Sequence, residues 1–248
     1  MKGSGVYMRR TVVALFLLVI CTLTHSVQEH PSQLPALSRQ WHGQDYQAAS
    51  QAIAKGAIAL PLFSESDGEK TLNRITSVDN LTYQSDTVAP LPARVQDNMI
   101  MMAAVSDIAK QYYLAANKGQ QVHRELAAML AFLVRTSASG ASLLEQSISA
   151  MPRDYTYTKR MEGVKKIQSG LTNILLGAET SLSERNFYNA NDISVILEAL
   201  ANSIAPIKRF LAPDVRDELL RKFLARQKEL KAERDADNLS RIINELRT

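Results

Sequence analysis

From Arg94 onward, apolar side chains recur three and four residues apart almost without interruption, the period of α-helices with one buried face. Val95, Met99, Met102, Ser106, Ala109, Tyr113 and Ala116 share one stripe, and Gly119 stands where a left-handed residue can end the helix. Val122, Leu126, Met129, Leu130 and Leu133 open a second stripe that runs on through the small residues Ser137–Ser142 to Ile148. Small side chains around Gly140 admit either a close helix approach or a kink. After a turn at Pro152, the spacing of Val164, Leu171, Ile174, Leu175, Ala178 and Leu182 predicts a third helix. Turn-forming residues from Asn186 to Asn191 then break the pattern. Ile193, Ile196, Leu197, Leu200, Ile204, Ile207 and Leu211 make a fourth stripe, with a bend expected at Pro206.

The first third of the chain is less regular. Residues 27–42 carry two prolines among polar residues and read as a mobile lead-in. Tyr46, Ala49, Ile53, Ala57 and Leu60 predict a helix from about Gln44 to Leu60, stopped by Pro61. Residues 62–92 are the least helical part. A short helix near Glu69–Val78 and an extended connector over Val88–Pro92 are the elements expected there.

The last helix starts with Pro213 in its first turn, followed by Asp214, Asp217 and Glu218 where negative charge opposes the helix dipole. Leu219, Leu220, Phe223, Leu224 and Leu230 give it a packing face, but Lys231–Asn238 has only alanine as apolar content. Apolar residues return at Leu239, Ile242, Ile243 and Leu246. Opposite charges at i,i+4 (Asp217–Arg221, Glu218–Lys222, Lys231–Asp235, Asp237–Arg241) would support a solvated helix by a few tenths of a kcal/mol each. The pattern predicts a helix leaving the bundle with an apolar tip. It also fits a tip folded back onto its own domain.

Amphipathic helices must bury their faces against one another when no alternating strand pattern offers a sheet. The fold class is therefore all-α, an irregular multi-helix bundle with a long charged C-terminal helix. Four parts follow: a signal peptide over 1–26, a lead-in with one helix and an irregular connector over 27–92, a bundle core over 93–212, and the charged helix over 213–248.

The N-terminus changes this picture most. Arg9 and Arg10 precede an unbroken apolar run from Val12 to Cys21, followed by Thr24, His25 and Ser26. A basic flank, an apolar centre and small polar residues are the order of a secretory signal, with Val27 as the mature start. The apolar centre is about half the roughly twenty residues a spanning helix needs, so an uncleaved anchor is the alternative. Cleavage near Ser26 would make the protein periplasmic or secreted; retention would anchor it in the inner membrane. It would also remove Cys21, the sole cysteine of the 248 residues, and with it thiolate catalysis and thiolate ligation.

Charge needs the same correction. The whole chain is +4, but Lys2, Arg9 and Arg10 lie in the signal, leaving 26 basic against 25 acidic residues after it. That near balance lacks the basic footprint of a nucleic-acid binder.

Candidate chemistry is sparse. Of the four histidines, His25 belongs to the signal, His30 and His42 to the lead-in, and His123 stands alone at a helix start. Ser64–Glu69 resembles a calcium loop only faintly, because Phe63 and Arg74 fall at ligand positions. Neither a GxSxG elbow, an SxxK pair nor a phosphate-cradling glycine loop occurs in the sequence. No catalytic, cofactor or metal residue is assigned. Met99–Met102, Tyr112–Tyr113 and Tyr155/Tyr157 read as core residues, whereas Phe187 and Tyr188 lie in a predicted loop among asparagines. Asn80-Leu-Thr82 and Asn238-Leu-Ser240 are glycosylation sequons.

The expectation is an exported, non-enzymatic helical protein of the cell envelope or secreted space. Its partner would be another protein, or a second copy through the C-terminal helix. The contacts would be Phe187, Tyr188, Leu239, Ile242, Ile243 and Leu246. An enzyme assembled from sequence-distant residues, marked by a pocket near His123 or Tyr155–Arg160, is the alternative. A membrane-anchored accessory protein is the other.

Overall fold

The long apolar stripes fold into helices that reverse direction one after another. A computed structural model describes residues 34–183, 187–229 and 233–248, and the proposed signal lies outside them. The helices are α1 (Gly43–Ala54), α2 (Ser66–Ile75), α3 (Thr82–Ser85), α4 (Leu91–Asn117), α5 (His123–Ser149), α6 (Tyr157–Ser183), α7 (Ala190–Lys208), α8 (Pro213–Gln227) and α9 (Glu233–Arg247). A short 3-10 turn spans Val78–Leu81. No strand occurs among the described residues, and the fold is an all-α multi-helix bundle.

The termini follow local chemistry. Gly119 adopts φ +86° after α4, and its N–H bonds Ala116 O at 2.9 Å. Gly56, at φ +70°, ends α1 six residues before the limit expected from Pro61. The φ > 0 conformation costs glycine no Cβ clash, so the first glycine outranks the later proline. Gly68 serves another purpose: a Cβ there would lie 2.5 Å from the Leu62 nitrogen, so the backbones of α2 and the preceding loop can touch only without it. Acids at Asp67 and Glu69 then sit in the first turn of α2, where the helix dipole favours them, rather than in an ion-binding loop.

Packing links α1, α4, α5, α7 and α9 in a row, with α6 against α5, α7 and α8, and α8 against α9. Directions follow from side-chain pairs. Arg94 near the start of α4 donates to Gln146 near the end of α5 at 3.4 Å, so these two run antiparallel. Ser194 reaches Asp235 at 2.5 Å and Lys208 reaches Glu245 at 2.8 Å, so α7 and α9 run parallel with α8 returning between them.

Gly140 is the close-approach point of α4 on α5. Its missing Cβ would meet Asn98 Oδ1 at 2.5 Å and Met102 Sδ at 3.2 Å, and α5 passes through it as one uninterrupted helix. The small-residue patch thus serves contact rather than a kink. Met101, Met102, Tyr112 and Tyr113 are buried, whereas Tyr155, expected in the core, is 97% exposed. Among the described helices α5 alone is long and apolar enough to cross a membrane, and most of that stretch is buried against its neighbours.

Two sequence expectations need correction. The lead-in reading fails over its described end: Trp41 is 0% exposed, its Nε1 donates to Ala36 O at 3.0 Å, and its ring meets Tyr46 edge-on at 5.6 Å. Burying one indole is enough to pin a polar, proline-containing stretch. The single last helix is in fact two, α8 ending at Gln227 and α9 beginning at Glu233.

Candidate interaction surface

The apolar residues of α9 face inward. Leu239, Ile242, Ile243 and Leu246 are each at most 2% exposed. The detached tip is therefore corrected: residues spaced by three and four form a stripe that α7 and α8 cover. Polar contacts set its position. Asp235, itself 2% exposed, accepts from Ser194 Oγ. At the other end Lys208 Nζ donates to Glu245 O at 3.0 Å and to Thr248 Oγ1 at 2.5 Å, placing a cation on the carbonyl end of α9. Gln227 Nε2 bonds Ser240 Oγ at 3.1 Å across α8 and α9.

Phe187 and Tyr188 also turn inward. Tyr188 is 7% exposed, and Phe187 is half-buried between Tyr113, His123 and Tyr188, with centroid separations of 6.3, 4.7 and 4.8 Å. None of the six predicted contact residues presents a free apolar surface. Sequence spacing does not distinguish a stripe that meets another chain from one that meets its own.

What the packing of α7 on α9 leaves outward is polar. A cleft of about 500 Å³ between them is lined by Glu198, Asn202, Asp237, Asn238 and Arg241. Arg241 Nη2 donates to Asn202 Oδ1 at 2.7 Å across it, instead of pairing with Asp237 along its own helix. Of the predicted i,i+4 pairs, Glu218–Lys222 forms at 3.3 Å, while Arg221 turns to the Asp217 carbonyl. The cleft was hidden from sequence because its two walls lie about forty residues apart.

Buried charges elsewhere have structural tasks. Asp97 Oδ1 accepts from Gly43 N at 2.7 Å and so caps α1 from α4. Asp45 accepts from His42 N at 3.0 Å and takes both Arg39 guanidinium nitrogens at 2.7 and 2.6 Å. Burial works to raise the Asp45 carboxyl, but the Arg39 bonds and charge outweigh it and hold it below the usual aspartate value. Glu125 accepts from Phe63 N at 2.9 Å, and Arg124 lies 4.4 Å over the Phe63 ring, fixing the loop before α2. Glu179, on α6, pairs with Lys222 of α8 at 2.8 Å, and the Arg226 guanidinium donates to Leu182 O. No trio of metal-ligating side chains gathers among the described residues.

Asp192 departs from this pattern. Its N–H bonds the Asn189 cap at 2.9 Å, yet its Oδ2 is buried without a hydrogen bond. Burial raises its pKa; the hydrogen bond from the Asn189 backbone and the His123 and Arg124 charges only partly counter that, and Glu125 adds to it. Asp192 thus binds its proton more tightly folded than unfolded, and stability falls as pH rises from the ordinary aspartate value through the raised one. We expect Asp192→Asn to raise Tm at pH 7 and to leave it unchanged at a pH below the ordinary aspartate value. A lower Tm at pH 7 would mean that the carboxylate is held by a partner.

At the two segments named for an assembled enzyme site, His123 and Arg160 are engaged in packing and in a turn. His123 packs edge-on against Phe187. Arg160 ties the turn before α6 by donating to Pro152 O at 2.6 Å and Asp154 Oδ1 at 2.8 Å. Both sequon asparagines are buried, Asn80 at 1% and Asn238 at 6% exposure, so neither can carry a glycan in this fold. Comparison of the chain with family models, curated proteins and solved structures finds no match.

Proposed function

We propose that this protein is exported and acts by surface contact with another macromolecule rather than by chemistry of its own. The observation that carries this reading is that five buried or half-buried acids are spent on holding the fold together. Asp45, Asp97, Glu125, Glu179 and Asp235 cap helices or tie helices and loops together. The basic, apolar, then polar order of the N-terminus supports export. The polar cleft between α7 and α9 is the contact region in this reading, replacing the apolar tip.

A photo-crosslinking residue placed at Asn202 in the full chain, expressed in its own cell, tests the proposal. The expected result is one discrete adduct, recovered from the envelope or the medium, that the same residue at exposed Val88 does not give. Identical adduct patterns at both positions, or a protein recovered only from the cytoplasm, would overturn it.

A further inference from the structure

The first turn of α6 carries cations, and the one acid at that helix end, Asp154, lies before it. A helix N-terminus favours acids, and α1, α2, α5, α7 and α8 place Asp45, Asp67 with Glu69, Glu125, Asp192 and Asp214 in their first turns, while α4 has no acid there and holds a buried Arg94. The first turn of α6 has no acid; Lys159 and Arg160 stand there instead. Arg160 serves the fold there by tying Pro152 O and Asp154, whereas Lys159 has no such task among the described residues.

The charge continues along one side. Arg153, Lys159, Lys165 and Lys166 are exposed, and none of the four has an ion pair or hydrogen bond among the described residues. Lys159 and Lys166, seven residues apart, lie on one stripe of the helix, about 10 Å from each other along the axis, with Lys165 adjacent. At that spacing their fields overlap within a Debye length of about 8–10 Å. Arg160 is neutralised by Asp154 at 2.8 Å, leaving Glu162 as the one acid among the four free cations. Beside them Tyr155 is 97% exposed, the most exposed of the large apolar side chains described.

We propose that this patch binds the surface of an anionic lipid bilayer. Protein interfaces deplete lysine in their centres and seat aromatic anchors in pockets, and here an exposed tyrosine stands at the head of a helix face that carries three free lysines. Lysines flanking an exposed tyrosine suit the headgroup layer, where the cations meet lipid phosphates and the ring lies at the water boundary. The remainder of the chain after residue 26 is close to neutral, so the attraction is local. It would orient the bundle with α6 toward the membrane, and it holds whether or not the α7–α9 cleft takes a partner.

Lysine acetylation of the full chain, read by mass spectrometry, tests this with vesicles of phosphatidylcholine alone and of phosphatidylcholine with phosphatidylglycerol. We expect Lys159, Lys165 and Lys166 to be protected by the anionic vesicles only, and the protection to disappear in high salt. Lys55 and Lys118, exposed elsewhere, should react equally with both. The variant K159E/K165E/K166E, checked for unchanged helicity, should partition onto anionic vesicles on the order of a hundred-fold more weakly, at roughly five-fold per lost cation. Equal reactivity of the three lysines on both vesicle types would overturn the proposal, as would wild-type partitioning of the variant. Protection by an oligonucleotide but not by anionic vesicles would also overturn it and assign the patch to nucleic acid.

Discussion

Deleting residues 233–248 is expected to abolish cooperative unfolding of the remaining chain. Leu239, Ile242, Ile243 and Leu246 are at most 2% exposed. Burial of a large aliphatic side chain stabilises by about 1.5–3 kcal/mol, so the four together contribute roughly 6–12 kcal/mol as an upper bound. That is comparable to the whole stability of a typical domain, about 5–15 kcal/mol. The deletion also exposes the faces of α7 and α8 that α9 covers, and aggregation is the expected visible result. A single substitution separates loss of packing from loss of chain: Ile242→Asp should cost about 4 kcal/mol or more, because a carboxylate would be buried without a partner. Exposed Asn244→Ala should stay within about 0.5 kcal/mol. Urea unfolding monitored by circular dichroism measures all three, and an Ile242→Asp midpoint equal to wild type would contradict the packing described here.

The second large effect is expected at Asn80. This side chain is 1% exposed and uses its whole amide. Its Oδ1 accepts from Trp41 N at 2.9 Å and Arg74 Nη1 at 3.3 Å; its Nδ2 donates to Tyr46 OH at 2.6 Å and Arg74 O at 2.7 Å. Tyr46 OH in turn donates to Ile75 O at 2.6 Å. One asparagine therefore joins the segment before α1, α1 itself and the end of α2. Asn80→Ala would leave the buried Trp41 N–H without its partner, at about 1–3 kcal/mol, and would remove the donations to the Tyr46 hydroxyl and the Arg74 carbonyl, so a loss of about 2–5 kcal/mol is expected. Asn80→Asp should do no better, because it keeps the acceptor, loses both donations and buries a charge. Near-ultraviolet circular dichroism should report the release of Trp41, the sole tryptophan of the chain. A wild-type Tm for Asn80→Ala would contradict this role. A glycan on Asn80 would consume the same nitrogen and should block folding of the N-terminal segment.

How much of this was legible in the sequence depended on whether the signal was local. The ends of α4 and α5 are marked by Gly119 and Pro152, residues with strong backbone preferences, and the apolar period between them leaves one solution. Gly56 carried the corresponding signal for α1, but the helical spacing of Ala57 and Leu60 masked it. The break between α8 and α9 has neither glycine nor proline, and the polar gap over Lys231–Asn238 falls mostly inside α9, so no local signal marks it. Long-range features were not legible. Trp41 and Asn80 lie 39 residues apart, and the cleft walls at Asn202 and Arg241 also lie 39 apart, so no local pattern brings either pair together. The same holds for Phe187, whose aromatic neighbours come from α4 and α5. The basic first turn of α6 is visible in the sequence, but it becomes informative only once Lys159, Lys165 and Lys166 are seen to be exposed.

Hydrogen exchange of the full-length protein, compared helix by helix, tests most directly whether α9 belongs to the core. The packing predicts that amides of α9 from Leu239 to Leu246 exchange as slowly as those of α7 and are released in the same cooperative opening. Exchange of those amides within seconds, while α5 and α7 stay protected, would contradict it and return the Leu239–Leu246 stripe to the role of an exposed partner contact.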